Sequence, residues 1–253
     1  MPKTEARFGA YASYYNLLYR DKDYQSEVDY LEKLLGRFSS QSKSILNLGC
    51  GTGRHDLLFA QAGYQMTGVD LSKDMIGIAQ GHAAENTRFI QGDAREVRLK
   101  ESFDAVMALF HVMSYQITNE DIAAVFETAS SHLETDGLFI FDCWYGPGVL
   151  TDPPVTRVKR MENDDARITR LAESTQDANK NLVTVNYEII VEEKKTSHFQ
   201  SIKESHNMRY LFVPEMKLFG ENAGFRMEHY ETWMTGAAPS LDTWNVVFVM
   251  RKL

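Results

Sequence analysis

Three stations in the first hundred residues have the types and order of a ligand site. The first is Leu48-Gly49-Cys50-Gly51-Thr52-Gly53, where an apolar run ends in three glycines spaced by two. Glycine is favoured where a turn needs tight dihedrals and where a backbone must come close to a ligand. The N–H groups that open the following helix then face a ligand carboxylate or phosphate. The second station is Asp70, at the end of the next apolar run, where one carboxylate can accept both hydrogen bonds of a ribose diol. The third is Gly92-Asp93, with Asp93 able to accept from an exocyclic adenine amine. Singly, each is an ordinary turn or cap; in this order they read as a nucleoside site.

The glycine spacing narrows the nucleoside. A dinucleotide turn follows Gly-x-Gly-x-x-Gly/Ala, its last small residue letting helix and strand pack closely. Counted from Gly49 that position is Arg54, and counted from Gly51 it is Asp56. A mononucleoside with an amino-acid tail fits better than a pyrophosphate, and NAD is the second choice. Candidate bases near the strand ends are His111, Tyr115, Tyr15 and His206. Each of them also reads simply as a packed, hydrogen-bonded side chain.

The elements that must hold these residues follow from periodicity. Strands are expected at 43–48, Gln65–Val69, Arg88–Gln91, Phe103–Leu109 and Gly137–Asp142. Helices are expected at 54–62, from Lys73 to about Ala83 behind a Ser72 cap, and at 119–133. This alternation gives βαβ units and a parallel sheet covered on both faces. Residues 1–37 read as two tyrosine-rich N-terminal helices broken near Asp21-Lys22-Asp23, and they serve either as packing or as a lid. From about 154 to 212 the period changes to two, with Val183, Val185, Tyr187, Ile189 and Val191, then Ile202, His206, Met208, Tyr210 and Phe212. That is an antiparallel meander inserted into one domain spanning 1–253. Pro214 starts a helix to Asn222, and two last strands lie at 225–233 and 243–251.

Composition sets outer bounds. A net charge of −8 argues against a nucleic-acid backbone as the main partner. Two cysteines, Cys50 and Cys143, are too few for a disulfide framework and point to a reducing compartment. The first residues lack the apolar segment of a signal peptide, and no apolar run reaches the roughly 18 residues that span a bilayer. The expected location is the cytoplasm, with no membrane partner.

Leu48-Gly49-Cys50-Gly51-Thr52-Gly53, Gly68-Val69-Asp70-Leu71-Ser72-Lys73-Asp74-Met75, Gln91-Gly92-Asp93-Ala94 and Phe103-Asp104-Ala105-Val106 resemble the successive motifs of class I S-adenosylmethionine-dependent methyltransferases, over residues 44–142. The resemblance implies a Rossmann-like, doubly wound seven-stranded α/β sheet whose last strand is antiparallel. It also implies that Gly49, Cys50, Gly51 and Gly53 hold the methionine moiety and Asp70 the ribose hydroxyls. Leu71 and Met75 would border the adenine, with Gly92, Asp93 and Ala94 facing its edge and Leu109 on the methionine side.

A narrower similarity is to N-methyltransferases that dimethylate amino groups of nucleotide-linked deoxysugars. It rests on Tyr15-Asn16-Leu17-Leu18-Tyr19, Lys22-Asp23-Tyr24, the Trp144-Tyr145-x-Pro147 turn, and the meander with Leu211-Phe212 leading into a helix. It implies that Tyr15 and Tyr24 close over the cofactor and that Trp144 borders the acceptor. Tyr115 stands where those enzymes tend to carry a histidine. The expected acceptor is a small molecule, most simply an amine, with His111, Tyr115, Tyr15 and Trp144 as candidate catalytic residues. O-methylation and a non-catalytic cofactor-binding module are the alternatives. No Asn/Asp-Pro-Pro-Tyr/Phe motif follows the fourth strand, Cys143 is not preceded by proline, and Cys and His are not clustered at metal spacing. Base methylation and a metal site are therefore not expected. The meander is either an acceptor cover or the surface of a homodimer.

Overall fold

The computed structural model describes residues 18–39, 42–196 and 198–253. Tyr15 lies outside the described residues. In chain order the first elements are α1 (Tyr24–Phe38), β1 (Ser44–Leu48), α2 (Arg54–Gln61), β2 (Gln65–Asp70), α3 (Lys73–Gln80) and β3 (Thr87–Gln91). They are followed by β4 (Phe103–Ala108), a short 3-10 turn (Val112–Tyr115), α4 (Asn119–Ser131), β5 (Leu133–Trp144) and α5 (Gly146–Thr151). After a second set of strands come α6 (Val213–Asn222), β10 (Phe225–Thr232) and β11 (Asn245–Lys252).

The main sheet has seven strands in the order β10-β11-β5-β4-β1-β2-β3. β1 runs parallel to both β2 and β4, with Ile45 opposite Met66 on one side and Ala105 on the other. β11 is antiparallel to both β5 and β10, so the last strand alone runs against the rest. The α/β architecture expected from the sequence is therefore present, including the reversed final strand. The chain winds outward from β1 to β3 and then returns to β4, which puts the reversal of strand order between β1 and β4. Ligands bind at the carboxyl ends of such a crevice.

Alternation along each strand sorts side chains into two cores. Leu46, Leu48, Phe139 and Phe141 face α4 and α6 in a cluster centred on Phe126, which is fully buried. Ile45, Leu138 and Ile140 face the other way, onto Val28, Leu31 and Leu35 of α1 and Phe59 of α2. Phe126 meets the rings of Phe139, Phe141 and Phe225 at centroid separations of 5.4, 5.6 and 6.0 Å. Truncating a phenylalanine packed in this way costs about 3–5 kcal/mol.

The second sheet is an antiparallel meander of β6 (Arg157–Glu162), β7 (Ala166–Asp177), β8 (Leu182–Glu193) and β9 (Phe199–Arg209), in that spatial order. Periodicity revealed β8 and β9 but not β6 and β7. β6 is an edge strand whose side chains are mostly exposed, so charged residues suppress its apolar alternation. The inner face packs Ile168, Ile189, Val191 and Ile202 on Leu18, and Val183 and Val185 on Val149 of α5. α5 was not expected from its Gly-Pro-Gly start; the proline falls in the first turn, where its missing N–H is tolerated. β9 stops at Arg209, and Leu211 instead makes a parallel bridge to Tyr145, tying the second sheet to the end of β5. Among the described residues no helix is long and apolar enough to cross a membrane.

Candidate active site

A cavity of about 520 Å³ lies over the carboxyl ends of β1 to β5. That is within the roughly 300–1,000 Å³ of small-molecule sites. One end is lined by Gly49, Gly51, Asp70, Leu71, Met75, Gly92, Asp93, Ala94 and Leu109. The other end is lined by Phe110, His111, Tyr115 and Trp144 together with Tyr187, His206 and Met208 of the second sheet.

The glycine turn is held by Gly49 N–H and Cys50 N–H, which both donate to Val69 O at 2.7 and 2.9 Å. Gly49 has φ of 79°, and a Cβ built on it would stand 2.4 Å from Val112 Cγ2. The absent side chain lets the loop after β4 press onto the loop after β1. Gly51 has φ of 56° and a built Cβ would meet nothing within 4 Å, because it would enter the cavity. Gly53 and Cys50 are not among the lining residues. A Cβ on Gly53 would stand 2.6 Å from Phe89, so that glycine serves helix packing, and Cys50 is buried among Ile76, Ala79 and Phe89. Burial pushes the Cys50 thiol up, away from a reactive thiolate.

Asp70 is oriented by two backbone donors, Gly51 N–H to Oδ2 at 2.9 Å and Ser72 N–H to Oδ1 at 2.8 Å. A carboxylate accepts about four hydrogen bonds, so each oxygen keeps capacity for a further donor. Burial raises its pKa, against the pull of those two N–H groups. Met75 is buried at the foot of the same wall. Asp93 is more constrained than its sequence suggested. Arg95 donates to it through Nε at 2.9 Å and Nη2 at 2.6 Å, and through Nη1 to Asp121 at 2.7 Å. Arg95 and Asp121, both lining residues, were not singled out from sequence; Gly92-Asp93-Ala94-Arg95 placed a partner two residues away, but strand-end geometry was needed to aim it.

At the other end, Phe110 and His111 both adopt left-handed backbone, with φ of 62° and 66°. Such a pair of non-glycine residues is strained by of order 1–3 kcal/mol each. The conformation points the His111 N–H at both oxygens of Asp142, 3.2 Å away, and brings His111 Nδ1 within 2.7 Å of Asp142 Oδ2, close but out of line for a hydrogen bond. His111 also lies 6.2 Å from the Trp144 ring. Tyr115 Oη meets His206 Nδ1 at 2.8 Å, and His206 Nε2 meets Glu204 Oε2 at 3.0 Å. Asp142 and Glu204 as imidazole partners were invisible in the sequence, lying 31 and 2 residues from their histidines on strands whose faces only the fold fixes.

Tyr24 does not line the cavity. Its ring packs edge-on against His55 at 5.0 Å, with Arg54 over it. His55 Nε2 in turn reaches Glu27 at 2.7 Å, and Lys22 pairs with the same carboxylate. Burial alone would raise Glu27, but His55 and Lys22 outweigh it and hold the carboxyl below its usual value. Lys22 also stands over the Phe110 ring, and Tyr19 meets Phe110 edge-on at 5.2 Å, so residues 19–22 do reach the cavity rim.

A methyltransferase domain model matches residues 45–137. The chain is 28% identical over 228 residues to the dTDP-3-amino-3,4,6-trideoxy-α-D-glucopyranose N,N-dimethyltransferase of Streptomyces venezuelae, covering 89% of this chain and 94% of that protein. The crystal structure of Streptomyces venezuelae DesVI superposes with a TM-score of 0.82 at 24% identity, covering 96% and 98% of the two chains. The S-adenosylmethionine-bound structure of an amino pentose methyltransferase from Micromonospora echinaspora superposes with a TM-score of 0.76 at 20% identity, covering 98% and 99%. The open space at Gly51 and the presented Asp70 carboxylate fit the cofactor of such enzymes. With this fold, glycine turn and domain match, the chain carries a methyltransferase domain and the class I fold of S-adenosylmethionine-dependent methyltransferases.

Proposed function

We propose that the acceptor is the amino group of a nucleotide-linked amino sugar. The observation that carries this is the reach of the likeness: it spans 94% of an amino-sugar dimethyltransferase, including the second sheet that builds the acceptor end of the cavity here. In this reading Asp70 accepts the ribose hydroxyls, Met75 and Leu71 border the adenine, and Asp93 with Ala94 faces its edge. Gly49, Gly51 and Leu109 approach the methionine tail.

S-adenosylmethionine, when bound, supplies an electrophilic methyl group on a sulfonium. The protein's task is then to align an acceptor lone pair and exclude water, and proximity can supply much of the rate. Trp144, Tyr187 and Met208 form the apolar wall that orients the acceptor. The segment 154–212 is its cover, supported by the lining residues that this sheet contributes. Residues 1–37 serve as a lid within a single domain of 1–253, supported by Tyr19 and Lys22 at the rim. The alternative use of the segment 154–212 is as the surface of a homodimer. The acidic balance disfavours nucleic acid, and the two free, buried cysteines suit a reducing cytoplasm.

Calorimetry with S-adenosylmethionine on wild type and Asp70→Ala tests the cofactor half, and labelled-methyl transfer to dTDP-3-amino-3,4,6-trideoxy-α-D-glucopyranose tests the acceptor. Tight cofactor binding lost in Asp70→Ala, with label on the sugar nitrogen, supports the reading. Unlabelled amino sugars beside labelled hydroxyl compounds would overturn it. One observation favours that second reading, an O-acceptor: His111 beside the buried Asp142 is the kind of base a hydroxyl needs and an amine does not.

A further inference from the structure

The second sheet reaches the cavity through one chain of titratable side chains. Tyr115 Oη lies 2.8 Å from His206 Nδ1, and His206 Nε2 lies 3.0 Å from Glu204 Oε2. The hydrogens follow from the partners. An ionised carboxylate only accepts, so Nε2 carries the ring hydrogen; Nδ1 of the neutral ring accepts, and the Tyr115 hydroxyl donates. All the donors then point one way, from the cavity wall to Glu204. His206 is buried, whereas the Glu204 side chain keeps 14% of its surface exposed. Asp142, behind His111, keeps 2%. One acid-backed imidazole therefore leads to solvent and the other ends in the core.

We propose that Tyr115, His206 and Glu204 form a proton outlet that strips the acceptor's ammonium group before methyl transfer and delivers the proton to water. This rests on the amine reading above. A protonated amine has no lone pair, so one proton must leave in each turnover. The ammonium proton passes to Tyr115 Oη as the phenolic proton passes to His206 Nδ1 and the Nε2 proton to Glu204 Oε2. One ammonium N–H bond breaks, one O–H bond forms on the Glu204 carboxyl, that carboxyl releases its proton to water, and the imidazole returns to its Nε2–H tautomer by proton exchange with water between turnovers. Tyrosine stays neutral throughout. Among the described residues, the groups facing His206 are Tyr115, Glu204 and Tyr187, whose ring meets the imidazole edge-on at 5.0 Å with the Arg170 guanidinium over it. Burial pushes Tyr187 up to about 12, so it remains a neutral phenol and does not compete.

The test compares wild type, Glu204→Gln and Tyr115→Phe with dTDP-3-amino-3,4,6-trideoxy-α-D-glucopyranose as acceptor, reading kcat/KM from pH 6 to 9. Without the outlet only acceptor that enters already neutral reacts. Both variants should then fall 10- to 100-fold at pH 7, recover most of that by pH 9, and keep wild-type affinity for S-adenosylmethionine. Equal losses at pH 7 and pH 9 would mark the residues as merely structural and overturn the outlet alone. If wild type methylates no amine, the functional reading falls and the outlet with it. A measurement without acceptor adds to this: ¹⁵N NMR of the free protein should show His206 as the Nε2–H tautomer. An Nδ1–H tautomer would reverse the chain and overturn the proposal.

Discussion

Asp56 offers a sharp test of the forces under the glycine turn. It sits in the first turn of α2, is fully buried, and accepts one hydrogen bond, from Asn47 Nδ2 to Oδ2 at 2.7 Å. Its Oδ1 has no partner. Burial, chiefly, with the nearby Asp70 charge adding to it, raises the carboxyl from 3.8 to about 7, against the pull of the Asn47 bond. A carboxyl with a raised folded pKa binds more protons in the native state between those two values. Stability therefore falls as pH rises from about 4 to about 7 and levels off above. At 1.36 kcal/mol per pKa unit, a rise of about three units corresponds to of order 4 kcal/mol. Asp56→Asn removes the ionisation and keeps an oxygen to accept from Asn47 Nδ2. Urea denaturation of both proteins at pH 4.5 and pH 8 gives the comparison. The variant should be close to wild type at the acid end and more stable by a few kcal/mol at pH 8. Parallel pH dependences in the two proteins would refute the buried-carboxylate account.

Two further perturbations separate packing from binding. Gly49→Ala meets Val112 and a left-handed φ at once, so thermal stability should drop by about 1–3 kcal/mol together with cofactor affinity. Gly51→Ala puts its methyl into open cavity, so melting should change less than in Gly49→Ala while calorimetry shows S-adenosylmethionine binding lost. Asp142→Asn distinguishes acceptors: kcat/KM for an amine should change less than tenfold, whereas a hydroxyl acceptor that relies on His111 as base should lose about 10²–10⁴.

The sequence by itself determined the sheet and brought the glycine turn and the strand-end acids to one end of the cavity. Both rest on local signals. A buried parallel strand needs a continuous apolar run, a turn against a ligand needs glycine, and an acid at a strand end is placed by the strand it terminates. Gly49, Gly51, Asp70, Met75 and Asp93 therefore fell where the spacing put them, on one wall of one cavity. Local signals are blind to what lies across a turn. Gly53 looked like Gly51, and only packing shows that the first serves Phe89 and the second opens on the cavity.

The other end of the cavity, with His111, Tyr115 and Trp144, was decided by tertiary structure. His111 and Asp142 are 31 residues apart, and Tyr115 and His206 are 91 apart. No periodicity links such pairs. They meet because β4 and β5 pair in parallel, which sets their carboxyl ends side by side, and the meander folds back over them. Tyr24, expected over the cofactor, packs instead on His55, because α1 lies along the α2 side of the sheet. Strand ends inherit their chemistry from nearby sequence, while a wall assembled from two sheets depends on contacts that only the folded chain creates.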